Sequence, residues 1–334
     1  MTAWSKFLQS EAPLFAYQSD SGSQLFDLSQ WGLIGVKGPD AAKFLQGQLS
    51  CDVLEINEAN SSLGSHCTHQ GKILSCFRLF KLEPDHYALA LPVDILEDAA
   101  TALAKYIVFS KADITRPDSD LICIGLTGSN ASQLLKDHFG KCPSAPNAVD
   151  QIDQCYVIKI SDKRFESWLP STDAIAFWRK HAPLSDRPDN DKWTLDTIRD
   201  GIPEVHPQTR DMFIPQMLNL QAIGGVSFQK GCYTGQEIVA RMEFRGKLKR
   251  PMYRVGFDLL ETEELPEPGS PLFSGGKTQN VGNVVIAARA EPKRAEALVV
   301  LTRTAADEES ASLDVENHKK LNILTLPYAI NSVR

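Results

Sequence analysis

Residues 33–45, LIGVKGPDAAKFL, read as a short apolar run, a glycine turn and a stretch with apolar positions at helical spacing. That pattern predicts strand, turn and helix. It recurs at residues 123–135, CIGLTGSNASQLL, where Ile124, Gly125, Gly128, Ala131 and Leu135 fall 90 positions after Ile34, Gly35, Gly38, Ala41 and Leu45. Pro39 suits the opening turn of the first helix. Ser129 or Asn130 can cap the second, and Gly140 can end it. Further on, YALALPVDILEDAATALAKY and FESWLPSTDAIAFWRK share a second order: strand, Leu-Pro break, helix. Two features recurring in one sequence predict a duplication, giving an α+β class with two halves of similar topology.

Residues 183–192, PLSDRPDNDK, are polar and proline-bearing and read as an exposed linker or long loop. After residue 250 the texture changes to short β-type runs, MYRVGFDL, PLFSGG, GNVVIAA, ALVVLTR and NILTLPY, separated by Gly, Pro and charge. These predict a C-terminal β-barrel or sandwich of about 85 residues, taken here as an antiparallel β-barrel. The expected division is 1–117, 118–247 and 248–334, with segments of the two halves free to interleave.

Composition narrows the functional classes. A chain of 334 residues accommodates two or three domains. Its net charge of −7 argues against broad, salt-driven wrapping of nucleic acid, while leaving room for a local basic patch. No apolar run reaches the length of a membrane span. The start, MTAWSKFLQSEAPLF, lacks the charged and apolar regions of a signal peptide. The seven cysteines are scattered and form no C-x-x-C pair, so reduced thiols in a cytoplasmic protein without a metal site are expected.

The densest chemistry lies in residues 224–250, GGVSFQKGCYTGQEIVARMEFRGKLKR. Gly224-Gly225 marks a turn and VSF a short strand. Thr234 and Glu237 have the spacing of a capping box, and Tyr233 and Ile238 that of a hydrophobic staple, so a helix is expected from about residue 234. Cys232 then stands just before a helix N-terminus, with Lys230 nearby. Both the dipole and the ammonium favour a thiolate. Cys232 is therefore a candidate reactive thiol with Lys230 assisting; the other reading is a small cysteine packed under the turn. Arg241, Arg245, Lys247, Lys249 and Arg250 against Glu243 reverse the local charge of an acidic chain. They suit a polycarboxylate tail or a short stretch of phosphate backbone, or simply a solvated helix end.

GGVSFQKGCYTGQEIVAR resembles the K-G-C-Y-x-G-Q-E signature of the folate-binding YgfZ proteins, relatives of the glycine-cleavage T protein, an aminomethyltransferase. WGLIGVKGPDAAKFLQGQLSCDV, WTLDTIRDGIPEV and FIPQMLNLQAIGG extend the likeness over residues 25–290. The resemblance implies a ring-like core of two related α+β halves and a small C-terminal β-barrel. It implies tetrahydrofolate or a one-carbon folate derivative as cofactor, with Trp31 and Trp193 at the positions of two pocket tryptophans and Arg241 and Arg245 available to the anionic tail. T proteins carry a Gly-Gly-x-x-Asp-Asp segment; in QGKILSCFRLF, Ser75 and Cys76 take the two acidic places. Acid–base transfer at a nitrogen needs a titratable group there. Met217 likewise stands where many relatives have an acidic residue. The resemblance thus implies an accessory protein that maintains iron–sulfur client enzymes and thereby tRNA modification, with Cys232 beside the folate cleft. A one-carbon transferase with another acceptor is the alternative, and direct tRNA binding through residues 241–250 a third reading.

Overall fold

The computed structural model describes residues 2–16, 22–116, 121–187, 189–274, 277–316 and 319–330. The first stretch of chain forms α1 (Ala3–Ser10), β1 (Gln24–Asp27), β2 (Trp31–Lys37), α2 (Ala41–Gln48), β3 (Ser61–Cys67), β4 (Ile73–Glu83), β5 (His86–Pro92), α3 (Val93–Ile107) and β6 (Asp113–Thr115). The second forms β7 (Leu121–Thr127), α4 (Ala131–Phe139), β8 (Val149–Ile152), β9 (Cys155–Ser161), β10 (Arg164–Pro170), α5 (Ser171–His181), α6 (Asn190–Arg199) and α7 (Gln236–Arg245). The last forms β11 (Met252–Asp258), β12 (Pro271–Ser274), β13 (Lys277–Glu291), β14 (Arg294–Leu301), α8 (Arg303–Asp307), β15 (Ala311–Ser312) and β16 (Asn322–Leu324).

Two five-stranded antiparallel sheets share one strand order, β3-β4-β5-β2-β6 in the first and β8-β9-β10-β7-β1 in the second. The duplicated sequence positions do the same work in each. Gly38 and Gly128 both hold positive φ, 139° and 114°. A Cβ would come within 2.4 Å of the Lys111 carbonyl oxygen in one and 2.3 Å of the Gly22 carbonyl oxygen in the other, so only glycine fits. Ala41, Ala131, Leu45 and Leu135 are all fully buried. Pro92 and Pro170 stand immediately before α3 and α5, where their fixed φ suits a helix entry.

The halves interleave. β1 pairs with β7, and α1 brings Trp4 and Phe7 into the second core beside Phe177 and Trp178. In the other direction, Phe213, Leu218, Leu220, Val226 and Val239 join the first core. A cut at 117, itself outside the described residues, divides the sequence and not the packing. Residues 224–245 lie against the first half although they follow the second.

The C-terminal six-stranded sheet has the order β15-β12-β13-β14-β11-β16. It is a curled half-barrel and not the closed barrel expected. Its edge strands β15 and β16 have two and three residues and do not pair with each other. Register shifts at Val284/Ile286 and Arg289/Glu291 add the bend. α6 packs across β13 and β14, where Arg199 grips Glu296 through two donors at 2.8 and 3.2 Å. Among the described residues no helix is long and apolar enough to cross a membrane.

Candidate functional site

Trp31 opens β2 and Trp193 sits in α6, and both line one cleft between the two sheets, with Cys76, Arg78, Arg164 and Glu166 in its wall. Its empty volume, counted out to the open mouth, is about 540 Å³. The Trp193 ring is fixed from several sides. The Arg164 guanidinium lies 4.1 Å from its centroid and Phe26 5.4 Å. Arg164 is itself held by Asp200 at 2.7 Å and Thr197 at 2.5 Å. Gly125 of β7 leaves the space that the ring occupies.

Glu166 is buried, and its Oε2 has no hydrogen-bond partner. Burial raises its pKa, against the opposing charges of Arg78 and Arg164. Arg78 Nε lies 3.8 Å from that oxygen, and its Nη1 donates to Asn147 Oδ1 at 2.7 Å. A buried acceptor beside the Arg78 guanidinium, in a cleft that two indoles also line, matches a flat heterocycle with an N–H edge.

Trp31, Trp193 and Glu204 also border an outer cavity that holds His206. His206 meets Asp94 at 2.7 Å and Glu204 at 3.4 Å. Burial alone would depress its pKa; the hydrogen bonds and charges of Glu204 and Asp94 outweigh it and raise the value to about 9. A raised histidine pKa stabilises the fold fully below its ordinary value near 6.5 and loses that stabilisation as pH climbs through 9. The contribution is worth at most roughly 3 kcal/mol. His206→Gln is expected to lower the denaturation midpoint at pH 6 and to match the parent at pH 10. An equal deficit at both pH values would refute the ion-pair account.

At the two positions compared with T-protein aspartates, Cys76 lines the cleft and Ser75 does not, its β4 position pairing with His66 of β3. Burial pushes the Cys76 thiol far above its ordinary range, so it is a neutral wall group.

The cysteine segment is built differently from the expectation. Residues 226–228 form no strand. The helix is α7, starting at Gln236, and its cap is Gly235 at φ 85° rather than Thr234. A Cβ at Gly235 would come within 2.5 Å of the Thr68 carbonyl oxygen. Thr234 instead donates to Gln48 Oε1 at 3.2 Å, so the predicted capping box is absent. Lys230 is buried, and its ammonium donates to the carbonyl oxygens of Leu49 and Cys51, both at 2.7 Å. Burial lowers its pKa to about 8, against Cys51 and Asp52. The charge expected to serve Cys232 thus has other partners, and Lys230 is an anchor. Tyr233 is the second anchor, buried with the Lys230 ammonium 5.1 Å from its ring. Between them Gly231 and Cys232 are exposed.

Cys232 lines neither the cleft nor the outer cavity, nor a polar groove formed by Asn60, Ser62, Phe228 and Gln229. Arg241 and Arg245, exposed on α7, also line none of the three. The structure brings Trp31 and Trp193 together and leaves Cys232, Arg241 and Arg245 on the outside. Arg78, Arg164 and Glu166 were missed by the sequence reading. Their signal is charge set among apolar strand residues, in CFRLFKL and KRFESWL. Among the described residues no group of His, Cys, Asp and Glu could hold a metal ion.

Residues 16–152 match the GCVT N-terminal domain model. The chain is 33% identical over 326 residues to the tRNA-modifying protein YgfZ of Vibrio atlanticus, covering 96% of this chain and 97% of that one. It is 37% identical over 253 residues to the protein of the same name from Hamiltonella defensa, covering 72% and 73%. The glycine cleavage system aminomethyltransferase T from Bartonella henselae has a similar fold, with TM-score 0.71 and 16% identity over 96% of this chain and 88% of that one.

Proposed function

The chain belongs to the YgfZ family, and from that membership we propose that it is a folate-binding accessory protein acting in tRNA modification. Tetrahydrofolate, or a one-carbon derivative of it, is the cleft's ligand. The observation that carries this reading is the buried Glu166 carboxylate, 3.8 Å from Arg78 and with an oxygen that accepts no hydrogen bond, in a cleft walled by Trp31 and Trp193. The pterin presents a flat ring and an edge of N–H donors, which an indole wall and a buried carboxylate accept. Trp31 and Trp193 would flank it and Glu166 would take its N–H edge, with the charges of Arg78 and Arg164 opposing the burial that favours the neutral carboxyl. Bound folate carries one-carbon units and reducing equivalents.

Aminomethyl transfer of the T-protein type is not proposed, because Cys76 and Ser75 place no aspartate at the cleft. The protein's role is to maintain iron–sulfur client enzymes on which tRNA modification depends. Cys232 serves at the surface, in contact with the client. A cluster needs about four ligands, so one thiolate works only together with ligands from the partner.

The cleft is tested by titrating the protein with tetrahydrofolate and following tryptophan fluorescence. Glu166→Gln removes one charge-assisted hydrogen bond, worth about 1.5–3 kcal/mol. A fall in affinity of at least about tenfold is expected, and Trp31→Ala is expected to weaken binding similarly. Unchanged affinity in both variants would take the ligand out of this cleft.

A further inference from the structure

We propose that the exposed face of α7 and the residues following it form a contact surface for single-stranded RNA. The proposal rests on the tRNA-related reading above and names the macromolecule that this surface meets. Arg241, Phe244 and Arg245 lie at i, i+3 and i+4 and so share one side of the helix. All three are exposed, whereas Val239 is fully buried. Phe244 is 71% exposed, and it meets Phe228 edge-to-face at 5.8 Å. Lys247 and Lys249 follow, also exposed.

These cations are uncommitted. Among the described residues, the side chains of Arg241, Arg245, Lys247 and Lys249 enter no hydrogen bond and no ion pair. Glu243, the acid in their midst, is only partly exposed and has one buried oxygen. In a chain of net charge −7, this is a local cationic rail beside an open aromatic face. Cations for phosphates and a ring for an unstacked base are what single strands require. Paired bases would not offer their faces to Phe244. The polar groove lined by Asn60, Ser62 and Gln229 continues from Phe228. Asp52 and Glu55 in its lining would repel phosphates and offer carboxylate acceptors to base edges. The polarity therefore runs from backbone-binding on α7 to base-binding in the groove.

The test is fluorescence anisotropy with a labelled, unstructured RNA of about 12 nucleotides over a range of salt concentrations. Parent protein should bind with a log–log salt slope of roughly −2 to −3, as three or four phosphate contacts give on a single strand. The double variant Arg241→Glu with Arg245→Glu should bind at least about tenfold more weakly, its slope shallower by roughly 1.4. Phe244→Ala should weaken binding at least about fivefold with the slope unchanged. Equal affinity of the parent and the double variant, preference for duplex RNA, or binding to phosphatidylserine vesicles without binding to RNA would each overturn the proposal. Tetrahydrofolate affinity should be the same in all three proteins, so failure here leaves the cleft standing and failure of the cleft leaves this surface standing.

Discussion

Cys232→Ala is expected to reduce complementation of a deletion strain to the level of the empty vector, with thermal midpoint and tetrahydrofolate affinity unchanged. The reason is how the seven cysteines are distributed. Cys232 is exposed, Cys142 is intermediate and the other five are buried. Burial pushes Cys51 and Cys67 up to about 12, so they stay neutral thiols. Only Cys232 is exposed and so open to another protein. That exposure is built in, because on one side Lys230 is hydrogen-bonded to the first half and on the other Tyr233 is buried, its ring against the Lys230 ammonium. An exposed alanine disturbs little, so the stability change should stay within about 0.5 kcal/mol. Modified-nucleoside content of bulk tRNA provides the readout. Full complementation by the variant would end the role of the thiol. Lys230→Met, which removes the anchor, should reduce complementation and also lower the midpoint.

The duplication was legible because it rests on local rules. Gly38 and Gly128 carry backbone angles that other residues resist, and Pro92 and Pro170 open helices through their own ring geometry. Trp31 and Trp193 were assigned to the cleft by likeness; their distance in sequence gives no hint that β2 and α6 bring both indoles to one cleft. What failed was long-range. Thr234 has a cap's spacing, yet its hydroxyl goes to α2, which no local pattern reveals. Lys230 looked like a charge beside a thiol, and carbonyls from residues 49 and 51 claim it. Closure of the C-terminal sheet depended on edge strands of two and three residues, too short for periodicity to show. Glu166 was hidden for a related reason: alternation marks which strand face is inward, but only the facing sheet determines whether an inward charge meets protein or a cleft.

The second large effect is expected from Gly125→Ala, through packing alone. A Cβ at this β7 position would lie 2.6 Å from Trp193 Cζ3, 2.8 Å from Cε3 and 3.0 Å from Leu28 Cδ1. Separations this short cannot persist, so something must move. An indole is rigid, and Trp193 has little room to retreat with Arg164 at 4.1 Å and Phe26 at 5.4 Å from its ring. Overpacking of this kind costs about 1–3 kcal/mol, seen as a lower denaturation midpoint. The displaced ring also forms the cleft wall, so tetrahydrofolate affinity should fall more than tenfold even where the variant remains fully folded. Gly47→Ala is the matched control: a Cβ there meets nothing within 4 Å, and the position is helical. It should be neutral or more stable by up to about 1 kcal/mol. A Gly125→Ala protein that loses stability and keeps its folate affinity would show that the Trp193 indole supports the fold without touching the ligand.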